Sequence, residues 1–379
     1  MKHLHRLVIC GLCLCPLVTT LAANPAENGA APLANSGEIL NQWKALMQQK
    51  NVIDKEVDDQ ITVLRTRAQK GSPQEQQEIM REGQQLQMQY EKKYQAIFAQ
   101  MRPLAAQLDY KADPETVPEA QMLLQLTYRE NLFAAAAAIA DRLIASGNAP
   151  TEVLVIGGLS HYADHQFTKA QELLNQAKPE IAANPSLSSF LTAAENYPAL
   201  WEKEKALRKA EATTDNNPRV LLKTDRGNIL LELFEDQAPN TVANFISLVE
   251  SGFYNGIAFH RVMPGFMAQG GDPNSKDDDP RNDGSGGPGY TIKCECDRPD
   301  TRMHFAGSLS MAHAGKNTGG SQFFITHLPT DHLNGRHTVF GRVLEGLPVA
   351  RALRGNDKIE SATVVRKRDH TYVPQTSKK

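Results

Sequence analysis

The sequence predicts a multidomain α plus β protein, with an all-α N-terminal half followed by a small closed β-barrel. The 379 residues, 41% of them hydrophobic, give room for about two packed domains. From Glu38 to about Ala210, apolar residues recur at steps of three and four, which is typical of amphipathic helices. Beyond Pro218, apolar and polar residues alternate, which is typical of β-strands.

The first 23 residues have the features of a secretory signal peptide. A basic start from Met1 to Arg6 precedes an apolar run from Leu7 to Leu21, and Ala22-Ala23 supplies small residues before a cleavage point. Pro16 and the short length disfavour a membrane span, which needs roughly 20 apolar residues. We therefore expect a cleaved signal and a periplasmic or secreted protein. The alternative is a chain anchored in the membrane by an uncleaved signal.

A helical domain is predicted over residues 38–211, after a flexible lead-in at 24–37 that is rich in Ala, Pro, Asn and Gly. Two long helices joined by a short turn predict an antiparallel, coiled-coil-like hairpin. Ser72 is expected to cap the second helix, with Pro73 in its first turn. Pro103 is expected to kink or end that helix.

The middle of the helical domain weakly resembles one tetratricopeptide unit. Gly158, Ala170 and Ala177 occupy positions at which that repeat has small residues so that paired helices can approach closely. Because about three repeats are needed for a stable array, an ordinary helical bundle is the simpler interpretation. A last charged helix leads into residues 212–217, whose Asp-Asn-Asn-Pro ending predicts a linker.

The barrel region begins with two strands joined by a tight turn at Arg226-Gly227-Asn228. A helix opening at Pro239-Asn240-Thr241 follows. The segment "FHRVMPGFMAQGGD", residues 259–272, predicts a second hairpin that turns at Pro264-Gly265. It places one arginine, Arg261, in an apolar strand. In isolation, such an arginine is best interpreted as part of a salt bridge on the strand.

Four stretches show a resemblance that changes this interpretation: "APNTVANFISLV", "FHRVMPGFMAQGGD", "GSLSMAHAGKNTGGSQFFIT" and "HLNGRHTVFGRV", in this order. In them the sequence resembles the cyclophilin-type peptidyl-prolyl cis-trans isomerases, over residues 218–369, about 40% of the chain. Residues 370–379 are left as a tail. The resemblance implies an eight-stranded antiparallel barrel with two capping helices. It also implies an enzyme that isomerises X-Pro bonds without a cofactor.

The resemblance also assigns a role to each residue of a proline-binding site. Arg261 is implied as the catalytic guanidinium, while Gln269 and Gln322 hold the substrate backbone and orient the arginine. Ala312 and His313 are implied to lie along the peptide-binding edge. The proline pocket is implied to consist of Phe266, Met267, Phe324, Leu333 and His337. His332 stands where the family often has a tryptophan, a change that should weaken the binding of cyclosporin-like macrocycles.

The chemistry of X-Pro rotation explains why an arginine suits this site. The uncatalysed reaction crosses a barrier near 20 kcal/mol, because the twisted amide loses its resonance. The proline nitrogen then acquires a basic lone pair, and a nearby guanidinium binds that twisted state more strongly than either planar isomer. Arginine stays charged at any working pH. No proton must move, so His337 needs no role as a base.

Two other clusters have both a functional and a plain interpretation. After removal of the signal, only Cys294 and Cys296 remain, which excludes a small disulfide scaffold. With His304 and His313 they could bind a metal, or they could form a strained disulfide, but ordinary thiols are favoured. The stretch "KDDDPRNDGSGGPG" lacks the ordered ligand spacing of a calcium loop and predicts a solvated insertion.

The expected partners are proline-containing polypeptide clients. The helical domain would bring clients or a protein partner to the barrel, or it would self-associate. The formal net charge of −2 gives no reason to expect nucleic acid, nor a membrane beyond the signal segment. The alternative function is a proline-peptide-binding chaperone or assembly scaffold with incidental isomerase activity.

Overall fold

The computed structural model describes residues 36–69, 72–147, 149–277 and 279–378. The predicted signal peptide and nearly all of the predicted lead-in lie outside these residues. The chain forms two compact units. The first contains the described residues up to Thr127 together with Ala135–Val153, and the second contains Tyr128–Ala134 and Leu154–Lys379. In the described part of the chain, no helix combines the length and the apolar character needed to cross a membrane.

The first unit begins with the predicted helical hairpin, formed by α1 (Ser36–Ala68) and α2 (Pro73–Ala105). Ser72 caps α2 as expected. Its hydroxyl accepts from the backbone N–H of Glu75 at 3.5 Å, and the Glu75 carboxylate accepts from the Ser72 N–H at 2.6 Å. Pro103 lies inside α2, two residues before its end. A side-chain hydrogen bond links the two helices: the Tyr94 hydroxyl of α2 donates to the Asp54 carboxylate of α1 at 2.6 Å.

Six further α-helices follow among the residues that the structure describes before the barrel. They are α3 (Val117–Arg129), α4 (Phe133–Ala145), α5 (Thr151–Ala163), α6 (Phe167–Gln176), α7 (Lys178–Ala182) and α8 (Pro185–Thr214). In the second unit, α5 and α6 approach closely at Gly158. A side chain there would collide with Leu174 of α6, and Ala170 and Ala177 are fully buried. These are the small residues that the tetratricopeptide-like pattern identified.

The barrel is one curled antiparallel sheet of eight strands with the order β3-β4-β7-β6-β8-β2-β1-β9. The segment that precedes β3 is hydrogen-bonded to the start of β9: Gly256 N–H donates to Ile359 O and Ile359 N–H donates to Ile257 O, both at 2.8 Å. The strands are β1 (Arg219–Thr224), β2 (Gly227–Leu233), β3 (Arg261–Met263), β4 (Met267–Gly270), β6 (Ser308–Met311), β7 (Phe323–Thr326), β8 (Val339–Glu345) and β9 (Ile359–Arg366).

Two helices cover the barrel, α9 (Pro239–Glu250) and α10 (Leu347–Ala352). The core includes fully buried Phe245 from α9, Phe323 from β7 and Phe340 from β8, and the Phe245 ring contacts the other two. A separate pair, β5 (Tyr290–Thr291) and β10 (Ser377–Lys378), ties the C-terminal segment to the barrel. The predicted fold, with a helical region and an eight-stranded sheet capped by two helices, is confirmed.

Candidate active site

The hairpin of β3 and β4 is the element that presents Arg261. In its register Arg261 lies opposite Gln269, and the chain reverses at Pro264-Gly265. Phe266 N–H donates to Met263 O at 3.0 Å, and Gly265 has a φ of 71°. Proline followed by a residue with positive φ is the signature of a type II turn, which explains the glycine. Arg261 itself is exposed, and its Nη2 lies 3.3 Å from the Met263 sulfur.

A cavity of about 560 Å³ opens beside this hairpin. It brings together ten of the eleven residues that the resemblance implied. The eleventh, His332, does not line the cavity but stacks on the Phe266 ring at 5.5 Å, with 58% of its side chain exposed. The ten that line it are Arg261, Phe266, Met267, Gln269, Ala312, His313, Gln322, Phe324, Leu333 and His337.

The floor of the cavity is apolar. Met267, Ala312 and Phe324 are buried and form one cluster, against which Phe266 and Leu333 pack while partly exposed. Such a slot can remove the proline ring of a peptide from water, which stabilises the bound state by roughly 25 cal/mol for each Å² of apolar surface buried.

The polar wall is formed by two glutamines. Gln269 Nε2 donates to Gln322 Oε1 at 2.9 Å, and Gln322 Nε2 donates to Gly284 O and Gly286 O at 2.9 and 3.0 Å. The chain of hydrogen bonds fixes the orientation of both amides. Gln269 is therefore held opposite Arg261 with a defined amide orientation.

His337 is held as a packing and hydrogen-bonding residue. Its Nδ1 donates to Met311 O at 2.9 Å, and its ring contacts Phe324 edge-on at 5.4 Å. Burial lowers the pKa of His337, so the ring is neutral near pH 7. His313 stacks on it at 4.1 Å, and a hydrogen bond with Cys294 raises the pKa of His313.

Cys294 and Cys296 are both free cysteines. The Cys294 sulfur accepts from the Asn317 N–H at 3.1 Å, and a hydrogen bond with His313 lowers the pKa of the thiol. His304, the other histidine of the possible metal site, is fully buried, and its nitrogens contact Asn334 and Ser310. In the ranges that the structure describes, no group of three or more metal-binding side chains is assembled.

The predicted solvated insertion contributes a wall that the sequence reasoning missed. Gly284, Gly286 and Pro288 line the cavity. Asp272 anchors this loop, because its buried carboxylate accepts from the N–H groups of Asn274 and Gly286 at 2.8 and 3.1 Å. A side chain at position 286 would collide with that carboxylate. The glycine-rich composition was the available signal, but it does not identify the partner of the loop.

Residues 219–371 match the family described as cyclophilin type peptidyl-prolyl cis-trans isomerase/CLD. A peptidyl-prolyl cis-trans isomerase of Synechococcus elongatus is 53% identical over 150 residues, which are 96% of that relative and 39% of this chain. The chain belongs to the cyclophilin family. Peptidyl-prolyl cis-trans isomerase B of Bacillus subtilis is 54% identical to this cyclophilin over 141 residues, 92% of that relative and 37% of this chain.

The crystal structure of a Cryptosporidium parvum cyclophilin type peptidyl-prolyl cis-trans isomerase is 30% identical and matches over 99% of its chain and 40% of this one, with a TM-score of 0.35. The family match and the two bacterial relatives identify the chain as a peptidyl-prolyl cis-trans isomerase, and its helices α1 to α8 lie outside residues 219–371.

Three histidines of the cyclophilin-containing unit make its stability sensitive to acid. Burial lowers the pKa of His165, His304 and His327 to about 3 each. The unfolded chain therefore takes up protons as the pH falls below about 6.5, while the folded protein does not. The contribution of these histidines to the free energy of unfolding is fully present above that pH and is lost progressively as the pH falls toward 3. Each histidine contributes up to about 2 kcal/mol of this loss at pH 5.

We expect urea unfolding to give a free energy of unfolding at least about 2 kcal/mol lower at pH 5 than at pH 7.5. The loss will be smaller than the sum for three groups, because hydrogen bonds raise the pKa of His313 and of His370. These two histidines therefore stabilise the folded protein more at pH 5 than at pH 7.5. Equal stability at the two pH values would contradict the burial of neutral histidines.

Proposed function

We propose that this cyclophilin is exported and assists the folding of proteins that contain slow X-Pro bonds, with Arg261 as its catalytic group. The observation that supports the catalytic role is the position of Arg261 at the wall of a cavity whose floor is apolar. The floor would hold the proline ring, and the guanidinium would hydrogen-bond to the proline nitrogen only when the amide is twisted.

The size of the effect is consistent with this division of roles. A rate gain of about five decades requires about 7 kcal/mol. One oriented charged donor supplies about 3–4 kcal/mol, by analogy with a donor in an oxyanion hole. The remainder is assigned to the cavity, which orients the substrate and excludes water. Gln269 and Gln322 would hold the peptide backbone, and Ala312 and His313 would line its edge.

The helical hairpin is proposed to recruit clients or a protein partner. Its exposed side includes large apolar side chains on both helices: Val52, Val63, Met80 and Met88, which are 38–55% exposed. Such side chains can bind unfolded segments or a partner helix. The same surface supports the alternative, a proline-peptide-binding chaperone or scaffold in which turnover is incidental.

Refolding of a proline-limited client distinguishes the two functions. We expect the purified protein to accelerate the slow refolding phase at catalytic ratios, and Arg261→Ala to be about 10²–10³-fold less effective. A chaperone would need about one copy for each client and would act equally well with Arg261→Ala. Export is tested by expressing the full chain in a bacterium: we expect periplasmic protein whose sequence begins at Asn24. Protein that stays in the cytoplasm with Met1 would contradict export.

A further inference from the structure

Asn131, in the turn between α3 and α4, contacts the tip of the catalytic hairpin. Its Oδ1 accepts from the Gly265 N–H at 2.6 Å, and its Nδ2 donates to Arg351 O at 3.0 Å. Asn131 is 2% exposed and has a φ of 63°, a left-handed conformation that asparagine adopts more readily than most residues. The hydrogen bond across the type II turn uses the N–H of Phe266 and the carbonyl of Met263, so Asn131 is what satisfies Gly265 N–H.

The location of Arg351 explains why Asn131 is held firmly. Arg351 is buried, and it donates to His327 O at 3.0 Å and to Ala163 O at 2.7 Å. Its guanidinium also lies over the Phe133 ring, 4.8 Å from the centroid. The end of α5 and the start of α4 are thus fixed to the barrel at the point where Asn131 contacts the hairpin.

Tyr197 of α8 makes a second contact of this kind. Its hydroxyl donates to His304 O at 3.0 Å and accepts from Asn334 Nδ2 at 3.4 Å. Asn334 directly follows Leu333, and its Oδ1 accepts from the His304 N–H at 2.8 Å. The His304 ring in turn stacks on Phe324, with the ring planes 5° apart. Leu333 and Phe324 both line the cavity.

We propose that Asn131 and Tyr197 are positioning residues for prolyl isomerisation, through which the helices hold Phe266, Leu333 and Phe324 in the geometry that grips proline. The inference rests on the proposed roles of these cavity residues. Both residues lie outside residues 219–371, the part of the chain that matches the family. The Synechococcus relative is matched over 96% of its length, so it does not share the helices that carry Asn131 and Tyr197.

The physical reason is the cost of an unpaired polar group at a buried site. Removing the Asn131 side chain leaves the Gly265 N–H without its acceptor, so the turn is expected to shift toward water. Phe266 is the next residue and would move with it. Displacements of about 1 Å in a site that orients its substrate lower rates by tenfold or more.

The test uses the full chain with two substitutions that remove the hydrogen bonds of these two side chains. Asn131→Gly keeps a residue suited to positive φ, and Tyr197→Phe removes one hydroxyl. Asn356→Gly is the matched control, because Asn356 also has a positive φ, 71°, but is exposed. Tyr110→Phe is the other control, since its buried hydroxyl donates to Ala105 O at 2.6 Å within the first unit.

We expect Asn131→Gly and Tyr197→Phe to lower kcat/KM for a proline tetrapeptide about tenfold, mostly through a higher KM, at a temperature where melting curves show folded protein. Both controls should stay within twofold of the parent. A methyl NMR signal of Leu333 should shift in Tyr197→Phe and not in Tyr110→Phe.

Two outcomes overturn different conclusions. Suppose that the parent is active, that Arg261→Ala is at least about 100-fold less active, and that both test variants stay within twofold of the parent with an unshifted Leu333 signal. The positioning role is then wrong and the proposed function stands. If the parent itself leaves the peptide at its spontaneous rate, the proposed function fails, and the positioning inference fails with it.

Discussion

Replacing Arg261 by alanine should lower kcat/KM for a proline tetrapeptide by about 10²–10³-fold, the effect of removing one oriented donor. The loss should appear in kcat with KM nearly unchanged, because the guanidinium binds the twisted amide and not the planar ground state. Arg261→Lys should be only partly active, since an ammonium keeps the charge but lacks the planar fork. The exposure of Arg261 implies that its removal leaves the fold intact.

The measurement is the rate of cis-to-trans conversion, with folding checked by melting curves. Arg298→Ala is the control: Arg298 is an exposed arginine, paired with Asp300 at 3.0 Å, that does not line the cavity. Equal activity of Arg261→Ala and Arg298→Ala would contradict the catalytic role of Arg261.

Replacing Arg302 by alanine should lower the free energy of unfolding of the second unit by about 3–5 kcal/mol, as expected when one partner of a buried ion pair is removed. The Arg302 side chain is only 1% exposed, and it contacts Glu204 at 2.8 Å and Glu211 at 2.5 Å. Both glutamates belong to α8. Its guanidinium also lies 3.8 Å above the Phe234 ring.

The electrostatics of Glu204 explain why the loss is large. Burial alone would raise the pKa of Glu204, but its hydrogen bonds to Arg302 overcome this and lower it. Without Arg302, Glu204 keeps its hydrogen bond from Arg208 at 2.8 Å but loses both of the hydrogen bonds that Arg302 donates to it. A buried carboxylate would then be incompletely compensated.

Arg298→Ala again provides the matched control, because Arg298 lies four residues away in the same segment and its ion pair is exposed. Surface pairs contribute about 0–1 kcal/mol. Urea unfolding of the two variants should therefore differ by at least about 2 kcal/mol. Similar values would show that α8 does not stabilise the barrel through Arg302.

Local features of the fold could be predicted because neighbours in the chain decide them. Ser72 and Glu75 are three residues apart, so the capping box is visible in the sequence. The turn at Pro264-Gly265 is likewise fixed by two adjacent residues with restricted or permissive φ. The family resemblance predicts ten of the cavity residues. Their spacing alone does not indicate that they share a cavity.

Contacts between distant residues could not be predicted. Asn131 is 134 positions from Gly265, and Glu204 is 98 positions from Arg302. Nothing in the sequence around Asn131 indicates such a contact, and Glu204 belongs to a run of charges that is typical of a solvated face. The structure shows both to be buried. The glycine-rich insertion likewise became a cavity wall only through Asp272.

The sequence by itself determined the helices, the strands, the tight turns and, through the family resemblance, the chemistry available at Arg261. Only the tertiary structure decided which helices join the barrel in one compact unit and which side chains hold the cavity from behind. The reason is that propensity, capping and turn geometry act over a few residues, whereas burial and the pairing of buried polar groups depend on segments that meet only in the folded chain.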